Sequence, residues 1–292
     1  MKLLKQIFPF LLTLLFLHKV SAQVKDNKVY ITPIYEFDYQ EDNRIKEIFK
    51  NHKLNGCITL FSDKEKIFYM NDIDEAEKRE LPASTFKIPH TIIALELGII
   101  KSPYETLKWN GEKRQLKEWE RDLSIKEAFK LSCVPCYQNI AKKIGSKEMN
   151  KWLKLRYGEM VINENNIDNF WLKGESRINS IEQIGFLEDF IHGRLPIKRR
   201  TRSDFLEIFK TKTTDSYKLY EKTGLTENNN HYIGWYVGFI NTQNFEKIYF
   251  ATRINANKKD INTDEKLKNF IDNRKIVTQK AIKEIFDIDL TK

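Results

Sequence analysis

The residues most suited to chemistry are a serine and a lysine three positions apart, in the sequence Ser84-Thr85-Phe86-Lys87. At the first turn of a helix, this spacing places both side chains on one face, within reach of each other. The free N–H groups of that turn would also stabilise negative charge near Ser84. A serine hydroxyl attacks a carbonyl only when a base removes its proton, and a desolvated lysine can be that base. The spacing therefore predicts serine-based acyl transfer, while the alternative is that Ser84 only caps a helix.

Two further motifs support the catalytic interpretation. Ser132-Cys133-Val134 opens a predicted helix and offers a second hydroxyl, and Lys222-Thr223-Gly224 ends a predicted strand. A lysine beside a glycine on an edge strand can hold an anionic substrate against exposed backbone. Taken separately, these motifs could be a helix cap and a strand boundary. Together, in the order S-x-x-K, S-x-V and K-T-G, they are typical of a penicillin-recognising serine site.

The sequence around these motifs resembles that of the class D β-lactamases, the oxacillinases. The likeness covers most of the chain from about Cys57 to the C-terminal helix, and it includes PASTFKIP at residues 82–89. The other segments that carry it are residues 132–138, 157–158, 170–172, 182–183, 222–224 and 233–238. The resemblance implies hydrolysis of β-lactam antibiotics through an acyl-enzyme on Ser84, and hence antibiotic resistance.

The resemblance also implies an unusual base. In class D enzymes CO2 carboxylates the motif lysine, here Lys87, and the carbamate acts as general base. Only a neutral amine attacks CO2, so Lys87 is expected where its charged form is disfavoured. Trp171 matches the family tryptophan whose indole N–H holds the carbamate. The expected walls of the dry pocket are Phe86, Val134 and Leu172. CO2 is therefore the expected cofactor, and no metal is expected.

The remaining site residues follow from the same resemblance. Ser132 would pass a proton to the departing lactam nitrogen. The backbone N–H groups of Ser84 and Leu225 would form the oxyanion hole. Arg274 resembles the arginine that pairs with the substrate carboxylate, and Arg253 is the alternative in this role. The substrate-binding set implied by the resemblance is Lys222, Thr223, Gly224, Leu225 and Arg274.

Two positions bear on the assignment to class D. Glu159 follows Tyr157-Gly158 where class D enzymes usually carry asparagine, which is expected to alter the nearby loop rather than the chemistry. Glu175 resembles the water-activating glutamate of class A β-lactamases. The S-C-V motif and Phe170-Trp171-Leu172 argue against class A, so we expect Glu175 on the surface.

The elements that must position these residues are strands from both ends of the chain and helices from its middle. From Ser84 the pattern is helical for more than a hundred residues, with helix-start signals at Ser124, Ser146 and Ser180. The predicted strands are residues 57–61, 66–70, 217–222, 231–240 and 247–254. The predicted flanking helices are residues 41–53 and 264–286, the latter with a restart near residues 272–273.

This pattern predicts an α/β (α+β) fold in which an antiparallel sheet from the N- and C-terminal segments is flanked by helices and carries an inserted helical region. The sheet region would span about residues 23–83 and 212–292, and the helical region about 84–211. We therefore expect a single catalytic domain over residues 23–292, with the serine β-lactamase or penicillin-binding transpeptidase-like fold that the resemblance implies. The site would lie where the two regions meet.

The first 22 residues are predicted to be a secretory signal peptide. Lys2 and Lys5 precede an apolar stretch at residues 7–17, and small residues lead to a cleavage point near Ala22. The stretch has eleven residues, whereas roughly 20 are needed to span a bilayer. We expect a secreted, periplasmic protein with no membrane attachment after cleavage.

Charge and cysteine content narrow the possible partners and cofactors. The net charge of +9 falls by three to +6 when the signal lysines are removed, and the remaining charge is spread along the chain. The basic cluster at residues 198–202 lacks interleaved aromatics, so no nucleic-acid partner is expected. Cys133 and Cys136 could form a disulfide or remain small buried side chains. Without a second ligand pair they do not indicate zinc.

Two rival functions share the serine motifs. A β-lactam sensor domain resembles class D enzymes but stays acylated, and normally belongs to a receptor with several membrane spans. A penicillin-binding transpeptidase would share Ser84, Lys87 and Lys222 but not the context of Trp171. The sequence leaves open which β-lactams are preferred and whether the protein is a monomer or a homodimer.

Overall fold

The computed structural model describes residues 20–25, 28–33, 38–154 and 157–291, and the chain divides into two compact units, residues 1–38 and 39–292. In the first unit, strands β1 (Val20–Lys25) and β2 (Lys28–Pro33) pair as an antiparallel hairpin. Residues 1–19 of the predicted signal peptide lie outside the described residues, so the signal peptide stays a prediction. None of the described helices is long and apolar enough to cross a membrane.

The larger sheet has seven strands, drawn from both ends of the chain. The remaining strands are β3 (Asp38–Glu41), β4 (Asn55–Ser62), β5 (Ile67–Met70), β6 (Thr106–Leu107), β7 (Leu123–Ser124), β8 (Lys210–Thr213), β9 (Tyr217–Asn228), β10 (His231–Thr242) and β11 (Lys247–Asn257). The order in the sheet is β3-β5-β4-β11-β10-β9-β8, while β6 and β7 pair separately. This order confirms the predicted sheet with strands from both termini and a helical region between them.

The helices fill the middle of the chain and its end. They are α1 (Asn43–Asn51), α2 (Ile73–Glu77), α3 (Lys87–Glu96), α4 (Ile125–Lys130), α5 (Val134–Ile144), α6 (Ser146–Leu153), α7 (Ser180–Ile191), α8 (Arg199–Phe209) and α9 (Asp264–Phe286). The capping box at Ser124 opens α4 as predicted. The predicted restart near residues 272–273 is wrong, because α9 is continuous through it.

The start of α7 differs by one residue from its predicted signal. Asn179 caps the helix and forms a capping box with Glu182. The hydroxyl of Ser180 instead donates to the carbonyl of Ala76, and Gln183 reaches the turn that carries Ser84. Ser180 and Gln183, which the sequence pattern assigns to capping, therefore form tertiary hydrogen bonds instead.

Strand β10 is buried on both faces because helices cover the sheet on each side. Its alternate residues Tyr236 and Ile240 belong to one core with residues of α1 and α9, such as Phe49 and Val277. Helix α7 packs against β4, β10 and β11. The sheet is thus a rigid support, and the catalytic motifs lie at its boundary with the helical region.

Candidate active site

The predicted nucleophile and base are adjacent in space. A 3₁₀ turn over Ala83–Phe86 runs directly into α3, which begins at Lys87. The Nζ of Lys87 lies 3.0 Å from the Oγ of Ser84 and donates a hydrogen bond to it. Ser84 is 6% exposed and Lys87 is 0% exposed. The serine side chain is therefore slightly accessible to solvent, and the amine next to it is shielded from water.

Burial changes the acid–base character of Lys87. Desolvation lowers its pKa from the ordinary 10.5 to about 7. The ring of Tyr137 lies 5.0 Å from Nζ, and among the described residues the hydrogen bond of Nζ is to Ser84 rather than to a carboxylate. A substantial fraction of Lys87 is therefore a neutral amine near neutral pH, as carboxylation requires.

The indole of Trp171 lies in the same dry region. Its ring stacks on Phe86 at a centroid distance of 5.8 Å and meets His90 edge-on at 5.5 Å. Trp171 is fully buried, and no described residue accepts a hydrogen bond from its Nε1. A buried donor without an acceptor is costly and rare in proteins. This N–H therefore fits an acceptor oxygen bound close to Lys87.

His90 is a pocket residue that sequence reasoning missed. It is fully buried, and neither ring nitrogen has a hydrogen-bond partner among the described residues. Burial, and then the charge of Lys87, lower its pKa to about 3, so the ring is neutral and is not a competing base at neutral pH. Its position three residues after Lys87 on α3 could have revealed it.

The predicted pocket walls differ in their burial. Phe86 is fully buried beside Trp171, as expected. Val134 and Leu172 are half-buried, and their contact with Lys87 stays a prediction. The carbonyl of Leu172 accepts a hydrogen bond from Thr226 at 2.7 Å, so it ties the Trp171 segment to β9.

Ser132 and Lys222 are in direct contact. The Nζ of Lys222 donates to the Oγ of Ser132 and, at 2.8 Å, to the carbonyl of Thr223. Ser132 has a positive φ of 54° just before α5, and this conformation turns the chain at the S-x-V motif. Burial, followed by the charges of Lys87, Arg274 and Lys275, holds the pKa of Lys222 well below its usual range. The lysine and hydroxyl are therefore suited to share a proton.

Strand β9 brings K-T-G against the nucleophile. Its pairing with β8 ends at Tyr220, so Lys222 and Thr223 lie beyond the paired segment on that edge. A Cβ atom built on Gly224 would lie 3.2 Å from the backbone nitrogen of Ser84. A side chain at this position would crowd the turn that carries Ser84, so glycine favours the close approach of the strand. Leu225 is half-buried on the same strand, and its oxyanion role stays a prediction.

The two candidate arginines occupy different places. Arg253 is fully buried and pairs with Glu75 at 2.9 Å, near α2. Arg274 extends from α9 and donates through Nη1 to the carbonyl of Gly224. Burial lowers the pKa of Arg274 to about 10, and its Nε has no partner among the described residues. Only Arg274 of this pair is in contact with K-T-G.

A buried network holds the turn that presents Ser84. Tyr157 donates to Gln183 at 3.0 Å, Gln183 donates to Thr85 at 2.7 Å, and Thr85 donates to the carbonyl of Pro82 at 2.6 Å. The backbone N–H of Ala83 also donates to the carbonyl of Trp171 at 2.8 Å. The turn therefore has little freedom to move away from Lys87.

The two departures from the expected pattern lie on the surface. Glu159 is exposed and pairs with Arg79 at 3.1 Å. Glu175 is exposed as well, in agreement with the expected surface position. A water-activating role would require a buried position at the cleft, so the class A alternative gains no support.

Cys133 and Cys136 form a disulfide across the first turn of α5, immediately after Ser132. Cys57 is a buried free thiol. We expect one reactive thiol out of three cysteines when the unreduced protein is denatured and alkylated, and three after reduction. Mass spectrometry of the alkylated protein measures this, and three thiols without reduction would contradict the bridge.

Comparison with known proteins agrees with this geometry. A family model described as the penicillin binding protein transpeptidase domain matches residues 46–273. Beta-lactamase OXA-10 of Pseudomonas aeruginosa is 36% identical over 223 residues, which cover 75% of this chain and 81% of that protein. Beta-lactamase OXA-48 of Klebsiella pneumoniae is 35% identical over 209 residues, 71% of this chain and 78% of that protein. The crystal structure of a class D beta-lactamase from Sebaldella termitidis matches with a TM-score of 0.80 and 31% identity, over 87% of this chain and 100% of that one.

Proposed function

The chain belongs to the class D β-lactamases, and we propose that it opens β-lactam rings through an acyl-enzyme on Ser84, with N-carboxylated Lys87 as general base. Membership alone carries the coarser statement that the protein is a serine β-lactamase, and that its activity confers antibiotic resistance. The finer proposal rests on one observation. Ser84 Oγ and Lys87 Nζ are 3.0 Å apart in a pocket where burial lowers the pKa of the lysine to about 7.

The residues around Lys87 fit a carbamate. The amine is neutral enough to react with CO2, aromatic rings exclude water, and the Nε1 of Trp171 is a buried donor without an acceptor among the described residues. Bound to Lys87, CO2 would supply a carboxylate base in place of an amine. Lys87 and Trp171 are the residues that would hold it.

The chain's own residues carry the bond changes of acylation. The hydroxyl proton of Ser84 passes to the base at Lys87, and the Oγ forms an ester with the lactam carbonyl carbon while the carbon–nitrogen bond of the ring breaks. Ser132 donates a proton to the departing nitrogen. Lys222 donates a hydrogen bond to Ser132, and its lowered pKa makes it a readier proton donor than an ordinary lysine.

The substrate carboxylate is placed by the cations at K-T-G. Lys222, Thr223 and Arg274 converge around Gly224, and an anion there would offset the positive charges that lower the pKa of Lys222. Arg274 is the proposed carboxylate partner, because Arg253 is already paired with Glu75. Export to the periplasm after cleavage near Ala22 belongs to the same proposal and is supported by the sequence of residues 1–22.

Hydrolysis of nitrocefin, a chromogenic cephalosporin, tests the proposal directly. We expect many turnovers per enzyme, and a transient mass increase on Ser84 in acid-quenched samples. Ser84→Ala should abolish both, while Ser102→Ala, which changes a serine outside the site, should abolish neither. One turnover followed by a stable acyl-enzyme would identify a sensor. Release of the terminal D-alanine from a D-alanyl-D-alanine peptide, without nitrocefin turnover, would identify a cell-wall peptidase.

A further inference from the structure

A cavity adjoins the K-T-G motif. It has a volume of about 320 Å³ and shares Lys222 and Thr223 with the active site. Ser84, Lys87 and Trp171 are not among its lining residues. The rest of the lining comes from α4, α8, β8, α9 and the preceding part of β9, and the shared Lys222 and Thr223 place the cavity next to the proposed carboxylate position.

The cavity is rich in positive charge. Besides Lys222, its lining includes four lysines, which are Lys126, Lys130, Lys210 and Lys275. Two carboxylates balance part of this charge. Glu207 pairs with Lys126 and Lys210, and Glu221 pairs with Lys275 at 2.7 Å. Positive charges therefore outnumber acids even before Lys222 is counted.

Lys130 is the least neutralised of these lysines. It is exposed at the end of α4, and within residues 38–154 and 157–291 no carboxylate is paired with it. Lys126 lies four residues earlier, on the same face of the helix. Two ammonium groups from one helix thus line the cavity together.

We propose that this cavity is a subsite for an anionic substituent on the C3 side of a cephalosporin nucleus. The inference rests on the proposed function, because it takes the substrate carboxylate to lie at Lys222 and Thr223. In a cephalosporin the carboxylate is on ring atom C4, and the C3 substituent is on the neighbouring atom. A long C3 group therefore leaves the nucleus next to the carboxylate, and the cavity that adjoins K-T-G is close enough to receive it.

The charge of the cavity selects for anions rather than merely admitting them. An ammonium group close to a partly exposed anion contributes a factor of a few in affinity, and salt screens that contribution. A sulfonate or carboxylate at the end of the C3 group would gain from several lysines at once. A neutral C3 group of the same length would gain contact area but no charge interaction.

Cefamandole and cefonicid form a matched pair of substrates for testing this subsite. They share the acyl side chain and the nucleus, and the tetrazole of the C3 group carries methyl in cefamandole and sulfomethyl in cefonicid. We expect wild-type kcat/KM to favour cefonicid at low ionic strength by about fivefold or more, and the preference to decline as salt is added. A wild-type ratio near one at low salt would overturn the proposal.

The double variant Lys126→Gln/Lys130→Gln locates the effect. The ratio of kcat/KM for cefonicid to that for cefamandole should fall by about five- to tenfold, with cefamandole turnover little changed. The control is Lys46→Gln/Lys50→Gln, which removes the same charge from two lysines spaced by four on α1 and should leave the ratio unchanged. An equal change in both variants would mean that net charge acts at long range and would refute a local subsite. If wild type hydrolyses neither compound nor nitrocefin, the proposed function fails. If both compounds are hydrolysed but the cefonicid-to-cefamandole ratio of kcat/KM is the same in wild type and in Lys126→Gln/Lys130→Gln, only the subsite fails.

Discussion

Replacing Lys87 with alanine is expected to lower kcat for nitrocefin by about a thousandfold, because in the proposed mechanism the same side chain would carry the base for acylation and for deacylation. Ser84 would lose the amine that lies 3.0 Å from its hydroxyl oxygen. Whatever acyl-enzyme still forms should persist, since water would lack activation. Stopped-flow kinetics and intact-mass measurement of the acylated fraction check both parts. Retention of activity within about tenfold of wild type would assign the base elsewhere.

The same variant should separate catalysis from stability. The pKa of Lys87 is lowered from 10.5 to about 7 in the folded protein, so between these values the unfolded chain binds a proton that the folded chain does not. The contribution of this group to the free energy of unfolding therefore rises with pH from about 7 to 10.5. In degassed buffer, Lys87→Ala should lose this slope and should be no less stable than wild type at pH 7. Denaturant titrations across that range measure the difference, with Lys142→Ala, an exposed lysine paired with Asp168, as the control.

Trp171→Phe is expected to weaken CO2 binding by about tenfold or more, because it removes one charge-assisted hydrogen bond while keeping an aromatic ring. The stacking on Phe86 and the edge contact with His90 can persist in the variant. Activity should then depend on added bicarbonate at concentrations that already saturate wild type. The ¹³C NMR signal of a carbamate, formed from labelled bicarbonate and absent in Lys87→Ala, should need more bicarbonate to appear.

Trp152→Phe is the matched control for Trp171→Phe. The indole Nε1 of Trp152 is also buried without a partner among the described residues, but it lines a separate apolar cavity behind α3. Its variant should share any general cost of replacing a tryptophan and leave the bicarbonate requirement unchanged. If both variants required added bicarbonate to the same extent, or if neither variant required it, Trp171 would have no place in the proposed carbamate site.

Several features were predictable because they depend on neighbours in sequence. The spacing of Ser84 and Lys87 places them on one turn, and the structure brings them within hydrogen-bonding distance. Alternating apolar residues and turn signals predicted strands from both ends of the chain, and these join in one sheet. The helix starts at Ser124 and Ser146 likewise follow from local capping and turn chemistry.

Other features arise only from contacts between distant segments. Both arginines are compatible with the sequence as the one near K-T-G. In the folded protein Arg274 on α9 contacts Gly224, whereas Arg253 on β11 pairs with Glu75. Asn179 rather than Ser180 caps α7, because the side chains of Ser180 and Gln183 form hydrogen bonds with Ala76 and Thr85 instead. The cationic cavity combines residues 126–130 with residues 207–223 and 275, a grouping that no local pattern contains.

In the Ser84–Lys87 pair, the relative position of the two side chains follows from local sequence, whereas the charge of the lysine follows from tertiary structure. Local sequence is enough to predict that a hydroxyl and an amine face each other, because a spacing of three residues on a helical turn sets that geometry. Whether the amine is charged depends on its burial, and it is fully buried with the ring of Tyr137 5.0 Å from its Nζ. Desolvation is a sum over all surrounding atoms, so the lowering of the Lys87 pKa to about 7 depends on the whole fold and does not follow from the local sequence.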